Sequence, residues 1–95
     1  MTKKVHLKCS GGDQKKSITK AADTIEFVTN GSCKFTSFNF TGDSPGFSNK
    51  TPASGAGASV SYSYDGTAIP HGGYPFEYTT DTPELGNGSG TIKND

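Results

Sequence analysis

The stretch DTIEFVTNGSCKFTSFNFTG, Asp23 to Gly42, decides the fold class. Its first half alternates, with Ile25 and Phe27 on one side of an extended chain and Thr24, Glu26 and Val28 on the other. A period of two is the pattern of a strand with one face buried. Asn30-Gly31 then supplies strong turn chemistry, with Ser32-Cys33 available to lengthen the loop. The second half carries Phe35, Phe38 and Phe40, and the spacing of three between the first two breaks the alternation once. One extra residue near Thr36 and Ser37, a β-bulge, returns all three rings to the same face.

Outward from this stretch the same period recurs. In KKVHLKCS, Val5, Leu7 and Cys9 alternate with Lys4, His6 and Lys8, until Gly11-Gly12-Asp13 turns the chain. KKSITKA reads as a short edge strand around Ile18, its lysines guarding the edge. Residues Gly42 to Ala58 hold little but Gly, Pro, Ser and Ala and read as one long loop, with Phe47 its single large apolar group. SVSYSYDGT sets Val60, Tyr62 and Tyr64 against three serines, and YPFEYTT sets Tyr74, Phe76 and Tyr78 against Glu77 and Thr79. DTPELGNGSG is turn-rich, and a short strand around Ile92 closes the chain. Six or seven short strands without a helical period predict an all-β, antiparallel Greek-key β-sandwich, with residues 1–95 forming one domain.

Composition narrows the function classes. Only 29% of residues are apolar, and nine lysines balance nine acids. A neutral chain without arginine lacks the basic stripe of a nucleic-acid or membrane-surface module. Lys3, Lys4, Lys8, Lys15, Lys16 and Lys20 gather in the N-terminal third and read as a solvated face. No apolar run approaches ~18 residues, the length a membrane helix needs. VHLKCS after MTKK is too polar for a signal peptide, so the chain as written is expected in the cytoplasm, or in the periplasm or outside if Met1 is an artificial start. Cys9 and Cys33 fit inward strand positions and are expected reduced, buried and inert, a bridge between neighbouring strands being the alternative.

The candidates for chemistry are few. His6 and His71 are the groups whose ordinary pKa suits a base near neutral pH. His6 stands between two lysines on the polar phase of its strand, and His71 lies in a Pro-His-Gly-Gly turn, so neither is set beside a nucleophile. The acids are dispersed and form no hydrolytic carboxylate pair. No zinc spacing and no calcium loop is present, and His6 and Cys9 fall on opposite faces of one strand. The chain is therefore read as non-enzymatic and without a cofactor.

Two stretches resemble the cupredoxin-like sandwich, including its small bacterial members. DTIEFVTNGSCKFTSFNF is similar to the family's early strand, Asn-Gly turn and approach to the first copper ligand, and GGYPFEYTT to its late strand leading to the ligand Cys. The resemblance implies a cupredoxin-like or immunoglobulin-like fold. The family's copper set is absent from the matching positions: Thr80 stands where the Cys is expected, Cys33 to Thr36 offer no His, and Met1 is the single Met. Blue copper takes two His, a Cys and an axial ligand, so the resemblance implies a scaffold without copper.

These readings converge on a binding or accessory module that presents loops on a rigid scaffold. The loops Gly42–Ala58 and Ile69–Tyr74 are the candidate surface, with Phe47, His71 and Tyr74 as contact residues for a protein or carbohydrate partner. Phe47 either tucks into the core or stays exposed as a contact. The alternatives are a secreted or surface adhesion-type or carbohydrate-binding domain, a metal-binding protein using His71 or the cysteines, and a structural subunit of a larger assembly.

Overall fold

The structure, a computed structural model, describes residues 1–18, 21–67, 73–81 and 88–94. These residues form strands and connecting segments, with no helix among them. The strands are β1 (Thr2–Leu7), β2 (Gly12–Ile18), β3 (Thr24–Thr29), β4 (Phe35–Phe40), β5 (Phe47–Thr51), β6 (Ser59–Tyr64), β7 (Tyr74–Thr80) and β8 (Gly88–Asn94). One sheet has the order β1-β3-β6-β5, the other β2-β8-β7-β4.

The two sheets meet through their apolar phases. Val5, Leu7, Ile25, Phe27, Val60, Tyr62 and Tyr64 from the first sheet pack against Ile18, Phe35, Phe38, Phe76, Tyr78 and Ile92 from the second. The central contact joins Phe27 to Phe38, ring centroids 4.3 Å apart, and Phe40 reaches across to Tyr62 at 5.1 Å. Aromatic pairs of this kind add about 0.5–1.5 kcal/mol each beyond their buried area. With so few aliphatic residues, the rings supply most of the volume that fills the interior.

The predicted bulge is present. The β4–β7 register shifts between Phe35 and Ser37, and Phe35 and Phe38 are both buried. Phe40 is half-buried against the same cluster. β2 is the expected edge strand, although it starts earlier, at Gly12.

Three expectations need correction. The sheets are mixed, because β1 pairs parallel with β3 and β2 parallel with β8. Period-two patterning fixes which face of a strand is buried and says nothing about the direction of its neighbour. The chain bends at Asn30-Gly31 as read, and there it passes from one sheet to the other. The segment read as one long loop contains β5, which pairs antiparallel with β6. Its polar sequence concealed it: β5 has Ser48, Asn49 and Lys50 at its centre, and Asn49 breaks the register with a φ of 55°.

The last correction concerns β8, whose Gly88-Ser89-Gly90 start was read as loop. Gly88 and Gly90 are the inward positions of the strand. A Cβ at Gly90 would fall 2.7 Å from Phe76 Cζ, and one at Gly88 would collide with the Tyr78 ring. β8 thus gives up its own inward side chains so that the rings of β7 can lie over it.

Candidate functional site

Two of the three residues proposed from sequence as contacts are fasteners of the scaffold. Phe47 opens β5 with its ring stacked on Tyr64 at 4.8 Å, beside Phe40 at 4.9 Å and Tyr74 at 5.5 Å. Of its two alternatives, the packed one holds. Tyr74 is only 2% exposed, and its hydroxyl donates to the Pro45 carbonyl at 2.9 Å. Burial of the Tyr74 phenol, with Asp65 nearby, raises its pKa above the usual value. His71 and most of the loop before Tyr74 lie outside the described residues.

The remainder of the Gly42–Ala58 segment is laid along the edge of β4. Phe35 and Gly57 exchange two backbone hydrogen bonds, 2.8 and 2.9 Å long. Lys50 Nζ donates to Asn39 Oδ1 at 2.8 Å. Gly55 is buried with a φ of 75°, and a Cβ there would lie 2.7 Å from the Phe38 nitrogen. This glycine lets the backbone come that close while holding a conformation L side chains rarely adopt.

The cysteines are not free. Cys9 and Cys33 form a disulfide, with sulfurs 2.03 Å and Cα atoms 6.0 Å apart. The expected reduced pair is corrected because neither residue sits within a strand. Cys9 belongs to the turn after β1 and Cys33 to the segment before β4, and these meet at one end of the molecule. The bridge takes both thiolates from any metal site. Thr80, at the end of β7, is buried. Among the described residues no three His, Cys, Asp or Glu side chains come together as metal donors. This donor set does not fit a blue copper centre.

Two surface depressions among the described residues bear on function. One, ≈ 330 Å³ in volume, lies on the second sheet against Ser37, Glu77, Thr79 and Ser89. Its hydroxyls engage one another, Ser37 and Thr36 each bonding Thr79 at 2.7 and 2.6 Å, and Glu77 is its lone carboxylate. Glycoside hydrolysis commonly uses a pair of carboxyl groups, and one carboxylate lines this depression.

The other depression is a cleft of ≈ 350 Å³ between β1 and β2, lined by Lys3, Lys4, Val5, His6, Lys15, Lys16 and Ser17. β1 ends the first sheet and β2 ends the second, so each carries one row of backbone groups paired with no strand among the described residues. Lys3 shares the phase of Val5 and Leu7, and the half-buried Lys16 stands between buried Gln14 and Ile18. These two lysines carry the inner layer out to the mouth of the cleft, while Lys4, His6 and Lys15 flank it from outside. Glu26 on β3 lies 3.9 Å from Lys4, and Asp13 is the acid on β2. The base of the β1–β2 turn is tied by a buried triangle. Gln14 accepts the Lys8 N–H at 2.9 Å and donates to the Tyr78 hydroxyl, which donates to the Lys8 carbonyl at 2.7 Å.

The sequence reads these lysines as a solvated face, and Lys3, Lys4, Lys8 and Lys15 are exposed. Their distribution along the chain is uneven. Residues 1–20 hold six lysines and one acid, a balance of +5, and residues 21–95 hold three lysines and eight acids, a balance of −5. Zero net charge hid a segregated one. Compared with protein-family models, with curated proteins and with solved structures, the chain finds no match.

Proposed function

We propose that this chain is a small non-enzymatic binding module that works without a cofactor and recognises an anionic partner at the β1–β2 cleft. The observation that carries this reading is the convergence of four lysines and a histidine on the open edges of both sheets. Cations lining a concave surface reinforce one another's potential and draw in anions. The reading moves the contact surface from the Phe47 and Tyr74 loops, whose rings are taken up in packing, to the opposite edge. The facing apolar layers support a sandwich of the cupredoxin-like or immunoglobulin-like kind as the scaffold, with no cluster of metal donors among the described residues. The test is titration of fluorescent polyanions against wild type and K3E/K15E at several salt concentrations. Both lysines are exposed, so the substitutions leave the core alone. Wild type should bind with an affinity that falls as salt rises, and the variant should lose binding at least tenfold. Equal binding by the two proteins refutes the cleft.

A second reading, favoured by the disulfide, concerns the compartment: the domain works in an oxidising environment, as an exported or surface domain does. Mass spectrometry of protein from its native source, alkylated before and after reduction, tests this. Two thiols alkylated without reduction refute it.

A further inference from the structure

We infer that the partner at the β1–β2 cleft is an acidic peptide in extended form, which adds to an open sheet edge as an extra strand. The inference rests on the reading of that cleft as an anion site and names the class of anion. Two features of the cleft select a peptide over other polyanions. The first is the pair of open strand edges, whose unpaired N–H and C=O groups match the main chain of another strand. A sugar–phosphate backbone has no N–H to pair with these carbonyls, and no aromatic ring among the described residues lines the cleft to stack a base. The second is the placement of charge on both phases. A strand laid beside β2 would point alternate side chains toward Lys3 and Lys16 inside the cleft and toward Lys15 outside it. Such an arrangement calls for acids at successive positions of the peptide, not only at every second one.

The same lysines decide against a second copy of this chain. Two copies meeting at these edges would set Lys3, Lys4, Lys15 and Lys16 against their own kind, and like charges directly opposite are destabilising. The far side of the molecule is closed differently. There the β4 edge is occupied at Phe35 by Gly57, and β5 is kinked at Asn49. Among the described residues, the lysine-bearing side thus combines open strand edges with an excess of positive charge, in which Asp13 and Glu26 are the minority. It repels its own edge and accepts an edge of opposite sign.

The experiment is fluorescence anisotropy with three labelled probes of equal charge: an end-capped deca-glutamate peptide, a peptoid with the same carboxylates but no backbone N–H, and an eleven-nucleotide oligothymidylate. Strand addition predicts that the peptoid and the oligonucleotide bind about tenfold or more weakly than the peptide. It also predicts new amide-exchange protection in β1 or β2 when the peptide binds. Equal binding of peptide and peptoid overturns strand addition while leaving the anion cleft standing. Tighter binding of the oligonucleotide overturns the peptide class. Failure of all three probes to bind overturns this inference and the proposed function together.

Discussion

Replacing Cys9 and Cys33 together by Ala should leave the two sheets in place and lower stability by about 3.5 kcal/mol. The figure follows from the sequence separation of 24 residues, through the loop-closure entropy that a cross-link removes from the unfolded chain. Native geometry does not depend on the bond. The β1–β3 ladder runs to the Leu7–Thr29 pair, and the Asn30 N–H donates to the Leu7 carbonyl at 2.9 Å, so the two segments are already held together. The loss is therefore expected to act through the unfolded state. For domains that unfold with about 5–15 kcal/mol in all, this is a large share, equivalent to a fall in Tm of roughly 15–25 °C. Urea unfolding followed by far-UV circular dichroism measures it, with wild type and double variant compared. The midpoint should fall and the slope should steepen, because an unbridged chain expands further on unfolding. A loss below about 1 kcal/mol with unchanged slope would refute the reasoning. Lost sheet signal in native buffer would refute it differently, showing that the bridge specifies the fold.

Gly55→Ala should cost about 2–4 kcal/mol, from left-handed backbone strain together with a methyl forced onto the β4 backbone. Gly42→Ala, with nothing within 4 Å, serves as control and should stay within about 0.5 kcal/mol of wild type in the same unfolding assay. The tyrosines predict an alkaline limit. Burial raises the phenol pKa of Tyr62 to about 12 and those of Tyr64, Tyr74 and Tyr78 in the same direction, Gln14 partly opposing it at Tyr78. A phenol that holds its proton longer when folded lends stability in full below its unfolded pKa near 10, and this is lost as pH rises through the folded value. Absorbance at 295 nm and circular dichroism, followed from pH 9 to 12.5, should therefore show late ionisation coinciding with loss of structure. Ionisation of all four tyrosines near pH 10 with the fold intact would contradict their burial.

How far the sequence was readable depended on which side chains signalled their place. Phe27, Phe38, Tyr62 and Tyr78 announced a buried phase by alternation, and the spacing of Phe35 and Phe38 announced the bulge. β5 gave no such signal, because its exposed centre is polar and its pairing depends on β6. Gly88 and Gly90 misled for a physical reason: glycine marks a loop when it supplies backbone freedom, but here it supplies room for two rings. The disulfide was obscured because Cys9 continues the alternation of Val5 and Leu7 by one position after the strand has ended. The cleft was the least readable feature. It arises where two strands of different sheets end their layers side by side, and nothing local to either strand reports that neighbourhood.

The segregation of charge has a consequence for the first moments of an encounter. A body with no net charge neither attracts nor repels an ion at long range. If the proposed cleft binds anions, its lysines, set apart from Asp43, Asp65, Glu77 and Asp81 on other strands and connections, give a partner at close range a preferred side to approach. Within roughly a Debye length, about 8 Å at physiological salt, an anionic partner would then turn the molecule before any contact forms. Orientation toward β1 and β2 would precede collision. Added salt would then slow association by randomising the angle of approach, although the total charge of the protein gives no hint of such a dependence.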